Sequence, residues 1–498
     1  MGPFDFPTEI DDQAVYRSTV ALLGENGVTL PTFAQLADPF TLPEPLRANL
    51  TSIDADAADP ANLFRVHWYN SPDGKGFMRT PAHVVLPQSL TGVPAKIVVA
   101  LGAHFPMIGA HKVLAAYACL APRLVTGRFD PARQRAIWPS TGNYCRGGVA
   151  ISRILGCRGV AVLPEGMSKE RFDWLKAWVV DEADIIRTPG TESNVKEIYD
   201  KCAELERDPD NEIVNQFSEF GNYLGHYTCT GPALEQVFES LREDDQDIKL
   251  AGFVAASGSA GTLGAGDYLK ERLAARIAVV EPVECPTLLY NGYGEHNIQG
   301  IGDKHIPLIH NATNSDFVIA VSDAATDGLN VLFNTDEGRR LLAQRVGVNA
   351  ETISALRYFG LSSICNILAA IKLAKYLDLS ETDAIVTVAT DSASMYETEK
   401  AGTLEKLGWD GIDSDGAAQL YGAHLKAVAT DHVLETSAMD RNRMFNLGYY
   451  TWVEQQGISL ADFDKRRNQS FWRGLHCLIE TWDELIVRFN KDTRSAAA

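Results

Sequence analysis

The sequence has no long apolar run and no recognisable leader. Its longest predominantly apolar stretches, residues 95–101 and 364–373, fall far short of the roughly 20 residues that a bilayer-spanning helix needs. The first nine residues contain two acidic groups, and they have neither a basic region nor an apolar stretch of the kind that a secretory signal requires. We therefore expect no membrane partner, and we expect the chain to reside in the cytoplasm.

Paired cysteines and an excess of basic residues are also lacking. The eight cysteines are scattered singly, with no Cys-x-x-Cys pair, and this pattern matches neither a zinc site nor a disulfide framework. The formal charge of −20 repels phosphate backbones, so nucleic acid is not expected as a partner. What remains is an acidic, globular chain for which we predict no metal site.

The composition and the apolar pattern are those of an α/β protein. With 498 residues and 45% hydrophobic content, the chain is long enough for two or three packing units. Short β-branched runs alternate with amphipathic stretches, which is typical of parallel strands joined by helical crossovers. We predict strands at residues 96–101, 158–163, 250–255, 277–281, 317–321 and 384–390, and helices at residues 168–179, 194–205, 232–241 and 361–377, with Ser168 as an N-cap.

A small-residue turn, Ser-Gly-Ser-Ala-Gly-Thr at 257–262, connects one predicted strand to a helical stretch. Small residues let backbone N–H groups approach a phosphate, and the N-terminus of the following helix adds a favourable dipole. The turn is also compatible with an ordinary tight connection. Since it lacks both the nucleotide P-loop pattern and Gly-x-Gly-x-x-Gly, a monophosphate ligand is favoured over a nucleotide.

Lys112 ends a Gly-Ala-His-Lys segment that opens an apolar helical stretch. Partial burial at such a position lowers the pKa of a lysine amine and makes the neutral form a nucleophile toward an aldehyde. The alternative is a surface lysine whose stem lies along apolar neighbours.

Residues 140–143, Ser-Thr-Gly-Asn, precede another helix that we expect to begin near Arg146. Hydroxyl groups, an amide and free helix N–H groups form a suitable cradle for a carboxylate or a phenolate. The alternative is an ordinary helix N-cap.

Taken in order, these segments resemble a known family. They are Gly-Ala-His-Lys at 109–112, Ser-Thr-Gly-Asn at 140–143, Asn-Gln-Phe at 215–217 with His-Tyr at 226–227 and Thr-Gly-Pro at 230–232, Gly-Ser-Ala-Gly-Thr at 258–262, Ile-Gln-Gly-Ile-Gly at 298–302, Gly-Leu-Ser-Ser at 360–363 and Asp-Ser at 391–392. This order resembles the fold-type-II pyridoxal-phosphate enzymes, the superfamily of cysteine synthase, cystathionine β-synthase and the tryptophan synthase β subunit. The resemblance covers roughly residues 83–397.

The resemblance implies pyridoxal 5'-phosphate as the cofactor, with Lys112 forming its Schiff base and then acting as base and acid at Cα. It further implies that Asn143 contacts the phenolic oxygen of the cofactor and that Ser392 contacts the pyridine nitrogen. The phosphate would be bound by Gly258, Ser259, Ala260, Gly261 and Thr262. The substrate carboxylate would be held by Ser140, Thr141, Gly142 and Gln216.

The implied architecture is a two-part α/β fold with parallel sheets flanked by helices. Residues 83–397 would form the catalytic core, with a small part at about 105–230 inserted in a larger part. Residues 1–82 and 398–498 would be N- and C-terminal extensions. Enzymes of this kind are usually homodimers, so we expect a homodimer that acts on a small amino-acid substrate.

The implied reaction is β-elimination or β-replacement on an amino acid with a leaving group at Cβ, through an aminoacrylate. An ammonia-lyase of the serine or threonine dehydratase type, which releases an α-keto acid, is the alternative within the family. A cofactor-binding regulatory subunit without activity is the alternative from a different class, and the presence of Lys112 argues against it.

The chain departs from its relatives after Asn143, where a small pair, typically Thr-Gly, is replaced by Tyr144, Cys145 and Arg146. We expect Arg146 to face the substrate and to pair with a larger or anionic side chain, because guanidinium groups bind carboxylates and phosphates in a bidentate manner. The alternative is an Arg146 that points outward from the first helical turn.

Overall fold

The computed structural model describes residues 3–497. These residues contain eleven strands in two sheets and a series of flanking helices. The strands are β1 (His83–Leu86), β2 (Lys96–Leu101), β3 (Arg135–Pro139), β4 (Arg158–Pro164), β5 (Ile185–Thr188), β6 (Asn211–Ile213), β7 (Lys249–Ala256), β8 (Arg276–Pro282), β9 (Phe317–Val321), β10 (Asp383–Ala389) and β11 (Val433–Glu435).

The α-helices surround the two sheets, and several of them are only one or two turns long. They are α1 (Gln13–Glu25), α2 (Phe33–Ala37), α3 (Glu44–Leu50), α4 (Gln88–Thr91), α5 (Lys112–Val125), α6 (Asn143–Ile154), α7 (Lys169–Trp178), α8 (Val195–Leu205), α9 (Phe220–Gly225), α10 (Gly231–Asp244), α11 (Leu263–Leu273), α12 (Thr287–Tyr290), α13 (Asp323–Phe333), α14 (Asp336–Leu341), α15 (Ala350–Ala355), α16 (Leu361–Tyr376), α17 (Glu397–Leu407), α18 (Ser414–Tyr421), α19 (Ala438–Tyr449), α20 (Leu460–Lys465), α21 (Gln469–Leu475) and α22 (Cys477–Ala497).

The larger sheet has the strand order β1-β2-β10-β7-β8-β9-β11. Its five central strands are parallel, and only β1 and β11 at the two edges run antiparallel. The smaller sheet is entirely parallel and has the order β5-β4-β3-β6. The central strands are almost completely buried, as parallel strands covered by helices on both faces must be. The predicted fold class is confirmed.

All six predicted strands and all four predicted helices are present, with boundaries that differ by at most three residues. The helix that we expected to begin near Arg146 instead begins at Asn143. Ser168 is the N-cap residue of α7, as predicted, but its side chain forms no capping hydrogen bond, and its hydroxyl accepts a hydrogen bond from Nη1 of Arg171 at 3.0 Å.

The two terminal segments pack against each other and against the smaller part of the core. Asn490 of α22 forms two hydrogen bonds with the backbone of Leu30, at 2.9 and 2.7 Å. Leu23, Phe33 and Trp482 are buried in the same apolar core as Tyr117 of α5. The first and last parts of the chain therefore form one continuous layer behind the helix that begins with Lys112. Within residues 3–497, no helix is both long and apolar enough to cross a bilayer.

Candidate active site

A cavity lies at the carboxyl ends of β3, β7 and β10, between the two sheets. This is the edge at which open parallel sheets present their ligand sites. The cavity brings together residues from most of the segments identified in the sequence, although two of them, Lys112 and Ser362, are 250 positions apart. Nine of the predicted site residues line it: Lys112, Ser140, Thr141, Asn143, Gln216, Gly258, Ser259, Ala260 and Thr262.

Lys112 is the first residue of α5, and its side chain extends into the cavity. Its ammonium donates hydrogen bonds to Oγ of Ser259 at 2.9 Å and to Oε1 of Gln216 at 3.5 Å. Burial lowers the pKa of the Lys112 amine to about 8, while the negative charges of Asp303, Cys119 and Glu192 act in the opposite direction. The amine is thus directed into the protein rather than into solvent, with a substantial neutral fraction near pH 8.

The turn at residues 257–262 lies between β7 and the N-terminus of α11. A Cβ atom on Gly258 would lie 2.4 Å from the carbonyl oxygen of Gly300, and one on Gly261 would lie 2.0 Å from Oδ1 of Asn222. Ala260 has a positive φ of 66°, which turns the backbone within the segment. Nδ2 of Asn222 supports the turn from below by donating to Oγ of Ser259 at 3.0 Å. Only glycine fits at these two positions, and the result is a cradle of backbone N–H groups at a helix N-terminus.

His111 lies beside this cradle, and a residue of the N-terminal segment holds it in place. Its Nε2 is 3.4 Å from Oγ1 of Thr262, and its ring stacks on that of Trp68 with centroids 5.5 Å apart. Trp68 itself donates from Nε1 to Oγ1 of Thr230 at 2.8 Å. Burial lowers the pKa of His111 well below its ordinary value, so the imidazole is neutral. The N-terminal segment therefore reaches the wall of the site.

The segment at residues 140–143 forms a tight loop ahead of α6. The backbone N–H of Gly142 donates to Oγ of Ser140 at 2.9 Å. Gly142 has a φ of +151°, and a Cβ atom there would lie 2.5 Å from Nε of Arg171. The loop consequently requires glycine, and it rests directly on a buried guanidinium.

Arg146 occupies a different place from the one expected. It is buried, and its guanidinium donates to Oδ1 of Asn143 and to the carbonyl oxygen of Ile108, each at 2.9 Å. It also lies over the ring of Trp174, 4.9 Å from the centroid. Both readings of the sequence are wrong, because Arg146 neither lines the cavity nor points into solvent: it supports Asn143 from behind. Burial, with a smaller contribution from Arg171, lowers the pKa of Arg146 to about 10.

A buried polar network continues from Asn143 to the end of β10. Nδ2 of Asn143 donates to Oδ2 of Asp391 at 2.7 Å, and the same oxygen accepts from the hydroxyl of Tyr396 at 2.8 Å. Arg171 approaches this carboxylate at 3.4 Å, donates to Tyr396 at 2.8 Å and also donates to Oε1 of Gln299. The network joins the loop at 140–143 to the larger part of the fold.

The predicted position of Ser392 at the cofactor ring is not supported. Among residues 3–497, those that line the cavity include Ser362 at the start of α16 but not Ser392. Ser392 is partly exposed, and its hydroxyl forms a 2.7 Å hydrogen bond with that of Ser394. Ser392 is the N-cap residue of a single helical turn at Ala393–Met395, which begins after residues 390–392 that follow β10.

Three residues of this site are not predicted from the sequence. Asp303 follows the Ile-Gln-Gly-Ile-Gly segment directly and lines the cavity, so its position beside that motif was a usable signal. Glu192 is buried in the loop between β5 and α8, and burial raises its pKa well above the ordinary value. Nothing in its local sequence indicates this position. Arg171 is a third case, because α7 has no motif and the partners of Arg171 come from distant segments.

Comparison with known proteins gives consistent results. The family model of pyridoxal-phosphate dependent enzymes matches residues 79–391. A cysteine synthase of Staphylococcus aureus is 32% identical over 273 residues, which cover 54% of this chain and 77% of that protein. The cystathionine β-synthase of Saccharomyces cerevisiae is 29% identical over 285 residues, covering 55% of this chain and 52% of that protein.

Solved structures resemble the fold as well. The O-acetylserine-dependent cystathionine β-synthase of Helicobacter pylori matches with a TM-score of 0.51 at 25% identity, over 64% of this chain and 95% of its own. A hydrogen sulfide-producing enzyme of Fusobacterium nucleatum matches with a TM-score of 0.52 at 24% identity, over 63% of this chain and 96% of its own.

Proposed function

Since the chain belongs to the family of pyridoxal-phosphate dependent enzymes, we propose that it catalyses β-elimination or β-replacement on an amino acid that carries a leaving group at Cβ. Cysteine synthase and cystathionine β-synthase relatives support this reaction class. The observation that carries the proposal is the position of Lys112, whose amine has a lowered pKa and faces the glycine-rich turn across one cavity.

The residues of the cavity fit pyridoxal phosphate. Gly258 and Gly261 let the turn at 258–262 pack closely against Gly300 and Asn222, and the helix N-terminus that follows the turn favours an anion. Lys112 would hold the cofactor through its amine, and Asn143, which lines the same cavity, would contact the phenolic oxygen of the ring. When bound, pyridoxal phosphate supplies an aldehyde that condenses with amines and a conjugated ring that withdraws electrons from Cα.

The residues of this chain position the substrate and move its protons. We propose that Ser140, Thr141, Gly142 and Gln216 hold the substrate carboxylate, since the hydroxyl groups of Ser140 and Thr141 and the amide of Gln216 belong to residues that line the cavity. Lys112 would remove the Cα proton and later return it, which its pKa near 8 suits.

We propose Ser362 as a second candidate for the contact with the pyridine nitrogen that we predict for Ser392. The side chain of Ser362 is buried and lines the cavity at the N-terminus of α16. A hydroxyl beside the pyridine nitrogen leaves that nitrogen largely unprotonated. Electron withdrawal is then gentler than beside a carboxylate, which favours loss of a β-substituent over transamination.

We further propose residues 83–397 as the catalytic unit, with about 105–230 as its small part and residues 1–82 and 398–498 as extensions that pack around it. A cytoplasmic homodimer is proposed on the same basis as in the sequence analysis. The free state of all eight cysteines in the described part of the chain supports a reducing compartment. Light scattering of the purified protein measures the oligomeric state.

The test of the reaction class is a screen of the purified yellow protein against L-serine, L-cysteine and O-acetyl-L-serine. A change in the visible spectrum, together with release of the β-substituent, is expected for at least one of them. Absence of any change with all Cβ-substituted amino acids would contradict the proposal.

An ammonia-lyase activity is the second candidate, and a coupled assay separates the two. If a thiol or an amine is added, a replacement enzyme forms a new amino acid at the expense of keto acid. A lyase forms the same amount of keto acid whether or not the nucleophile is present.

A further inference from the structure

Asp303 is a buried acidic residue that lines the cavity and has no role in the steps proposed above. It is 5% exposed and lines the same cavity as Lys112. Its backbone carbonyl is held by Oγ1 of Thr287 at 2.9 Å. Within residues 3–497, neither oxygen of its carboxylate has a hydrogen-bond partner. A rigidly anchored backbone thus presents an unpartnered carboxyl group at the cavity wall.

This carboxyl group is not simply the ionic partner of the cofactor lysine. The hydrogen bonds of the Lys112 ammonium go to Ser259 and Gln216, and among the described residues Lys112 and Asp303 form no ion pair within 4.0 Å. An unpartnered buried carboxylate is costly unless it carries a proton or finds a partner in a ligand. The position of this carboxyl group therefore suits proton exchange with a ligand bound in the cavity.

The surroundings of Asp303 allow both protonation states near neutral pH. Burial raises its pKa to about 7, and the positive charge of Lys112 opposes this shift. Glu192 from the β5–α8 loop, Tyr199 of α8 and Cys285 after β8 are the other titratable groups that interact with it electrostatically. A carboxyl group with such a pKa can both donate and accept a proton.

We propose that Asp303 is a second proton-transfer group of this site, which protonates β-substituents that need a proton to leave, such as a hydroxyl, an amine or a thiol. The inference rests on the proposed function and narrows its substrate class. Esters and halides leave as stable anions and do not need this acid, whereas hydroxide, amide and thiolate are poorer leaving groups.

The proton and electron balance of the step is complete without any further reactant. Lys112 takes the Cα proton, and the electron pair of the Cα–H bond becomes the second bond between Cα and Cβ. The bond from Cβ to the substituent breaks, and the substituent leaves with that bonding pair and the proton of Asp303. In the replacement direction, the Asp303 carboxylate accepts the proton of the incoming nucleophile as its bond to Cβ forms, and Lys112 returns its proton to Cα.

The variant that tests the proposal is Asp303→Asn, which keeps the shape of the side chain and removes the transferable proton. Its substrates are L-serine and L-cysteine, whose substituents need a proton, and β-chloro-L-alanine, whose chloride does not. General acid catalysis contributes about 10²- to 10⁴-fold. We expect kcat/KM to fall by that factor for L-serine and L-cysteine, and to change much less for β-chloro-L-alanine, for which only the altered pKa of Lys112 matters. Equal effects on all three substrates would overturn the proposal.

Turnover by the parent enzyme separates a failure of the role proposed for Asp303 from a failure of the proposed function. Turnover of β-chloro-L-alanine without any turnover of L-serine or L-cysteine would overturn the role of Asp303 and leave the reaction class intact. No turnover of β-chloro-L-alanine would instead contradict the proposed function itself.

A measurement independent of turnover uses the cofactor-free protein. Because the negative charge of Asp303 raises the pKa of Lys112, Asp303→Asn should lower the pKa of the Lys112 amine, whereas Asp173→Asn on the exposed face of α7 should not change it. NMR of the ¹³C-methylated lysines, with Lys112→Ala for assignment, measures both pKa values. An unchanged pKa in Asp303→Asn would place the carboxyl group away from the amine and overturn the inference.

If Asp303→Asn does not fold, Asp303→Ala takes its place, measured with and without added formate. Recovery of L-serine turnover by formate supports proton transfer at this position. A folded, yellow Asp303→Ala protein that turns over L-serine at the parent rate, or that formate does not rescue, overturns it.

Discussion

Asn143 and Asp391 are 248 positions apart, and Nδ2 of Asn143 donates a 2.7 Å hydrogen bond to Oδ2 of Asp391. The bond joins the loop proposed to bind substrate, in the smaller part of the fold, to the carboxyl end of β10 in the larger part. Arg171 and Arg146 adjoin it on either side, both buried. Asp391 therefore sets the orientation of Asn143 and also balances buried positive charge.

Asp391→Asn should destabilise the protein strongly, because it leaves buried guanidinium groups without their carboxylate. Removing one partner of a buried ion pair costs about 3–5 kcal/mol. Denaturant unfolding of the variant should show a loss of that size. The matched control is Asp173→Asn, which breaks the exposed ion pair with Lys169 on α7 and should cost about 0–1 kcal/mol. Similar stabilities for the two variants would show that the network is dispensable.

Arg146→Met should weaken catalysis equally for neutral and anionic substrates, because Arg146 acts through Asn143 rather than on the substrate. A hydrogen bond from a charged group contributes about 1.5–3 kcal/mol, or roughly ten- to a hundredfold in kcat/KM. Kinetics with L-serine and O-phospho-L-serine measure the two effects.

Arg153→Met on the same helix is the control for Arg146, since the exposed Arg153 contacts the backbone carbonyls of Ala177 and Trp178 and the ring of Trp178, none of which lines the cavity. It should leave both substrates unaffected. A loss confined to the anionic substrate in Arg146→Met would mean that this guanidinium does reach the substrate.

Ser362→Ala should change the visible spectrum of the yellow protein and slow Cα proton removal, because Ser362 lines the cavity. One neutral hydrogen bond contributes about 0.5–1.5 kcal/mol, so the rate should fall by up to about tenfold. Ser392→Ala is the matched control, and its spectrum and rate should equal those of the parent. If Ser392→Ala changes the spectrum and the rate and Ser362→Ala does not, then Ser392 is the residue that contacts the ring.

The rate at which cofactor-free protein takes up pyridoxal phosphate should follow the ionisation of Lys112. Only the neutral amine attacks the aldehyde, so the rate should rise with pH and level off above a pKa of about 8. An exposed lysine, with a pKa near about 10.4, would keep the rate rising well beyond that point. Stopped-flow absorbance across pH 6–10, a range chosen to span roughly both values, measures the profile.

The parts of the molecule that the sequence predicts correctly are those determined over short distances. The turn at 257–262 and the start of α5 at Lys112 follow from local composition, and the buried parallel strands follow from continuous apolar runs. Strand β3 was missed because its apolar part is only a few residues long. Such a run does not distinguish a strand from a loop without its neighbours β4 and β6.

The errors concern side chains whose partners lie far away in the sequence. The burial of Arg146 depends on Trp174 and on the carbonyl of Ile108, and neither is visible from residues 144–147. The assignment of Ser392 to the cofactor ring rests on the resemblance alone, and in the structure its hydroxyl bonds to that of Ser394. Ser362, in the first turn of α16, lines the cavity.

The most direct test of the central claim, that Lys112 binds the cofactor in this cavity, is borohydride reduction of the yellow protein followed by peptide mapping. The account predicts a phosphopyridoxyl group on the peptide that contains Lys112. The Lys112→Ala variant should fold, retain the glycine-rich turn and lose most turnover. A phosphopyridoxyl group on any other lysine, with Lys112 unmodified, would contradict the account.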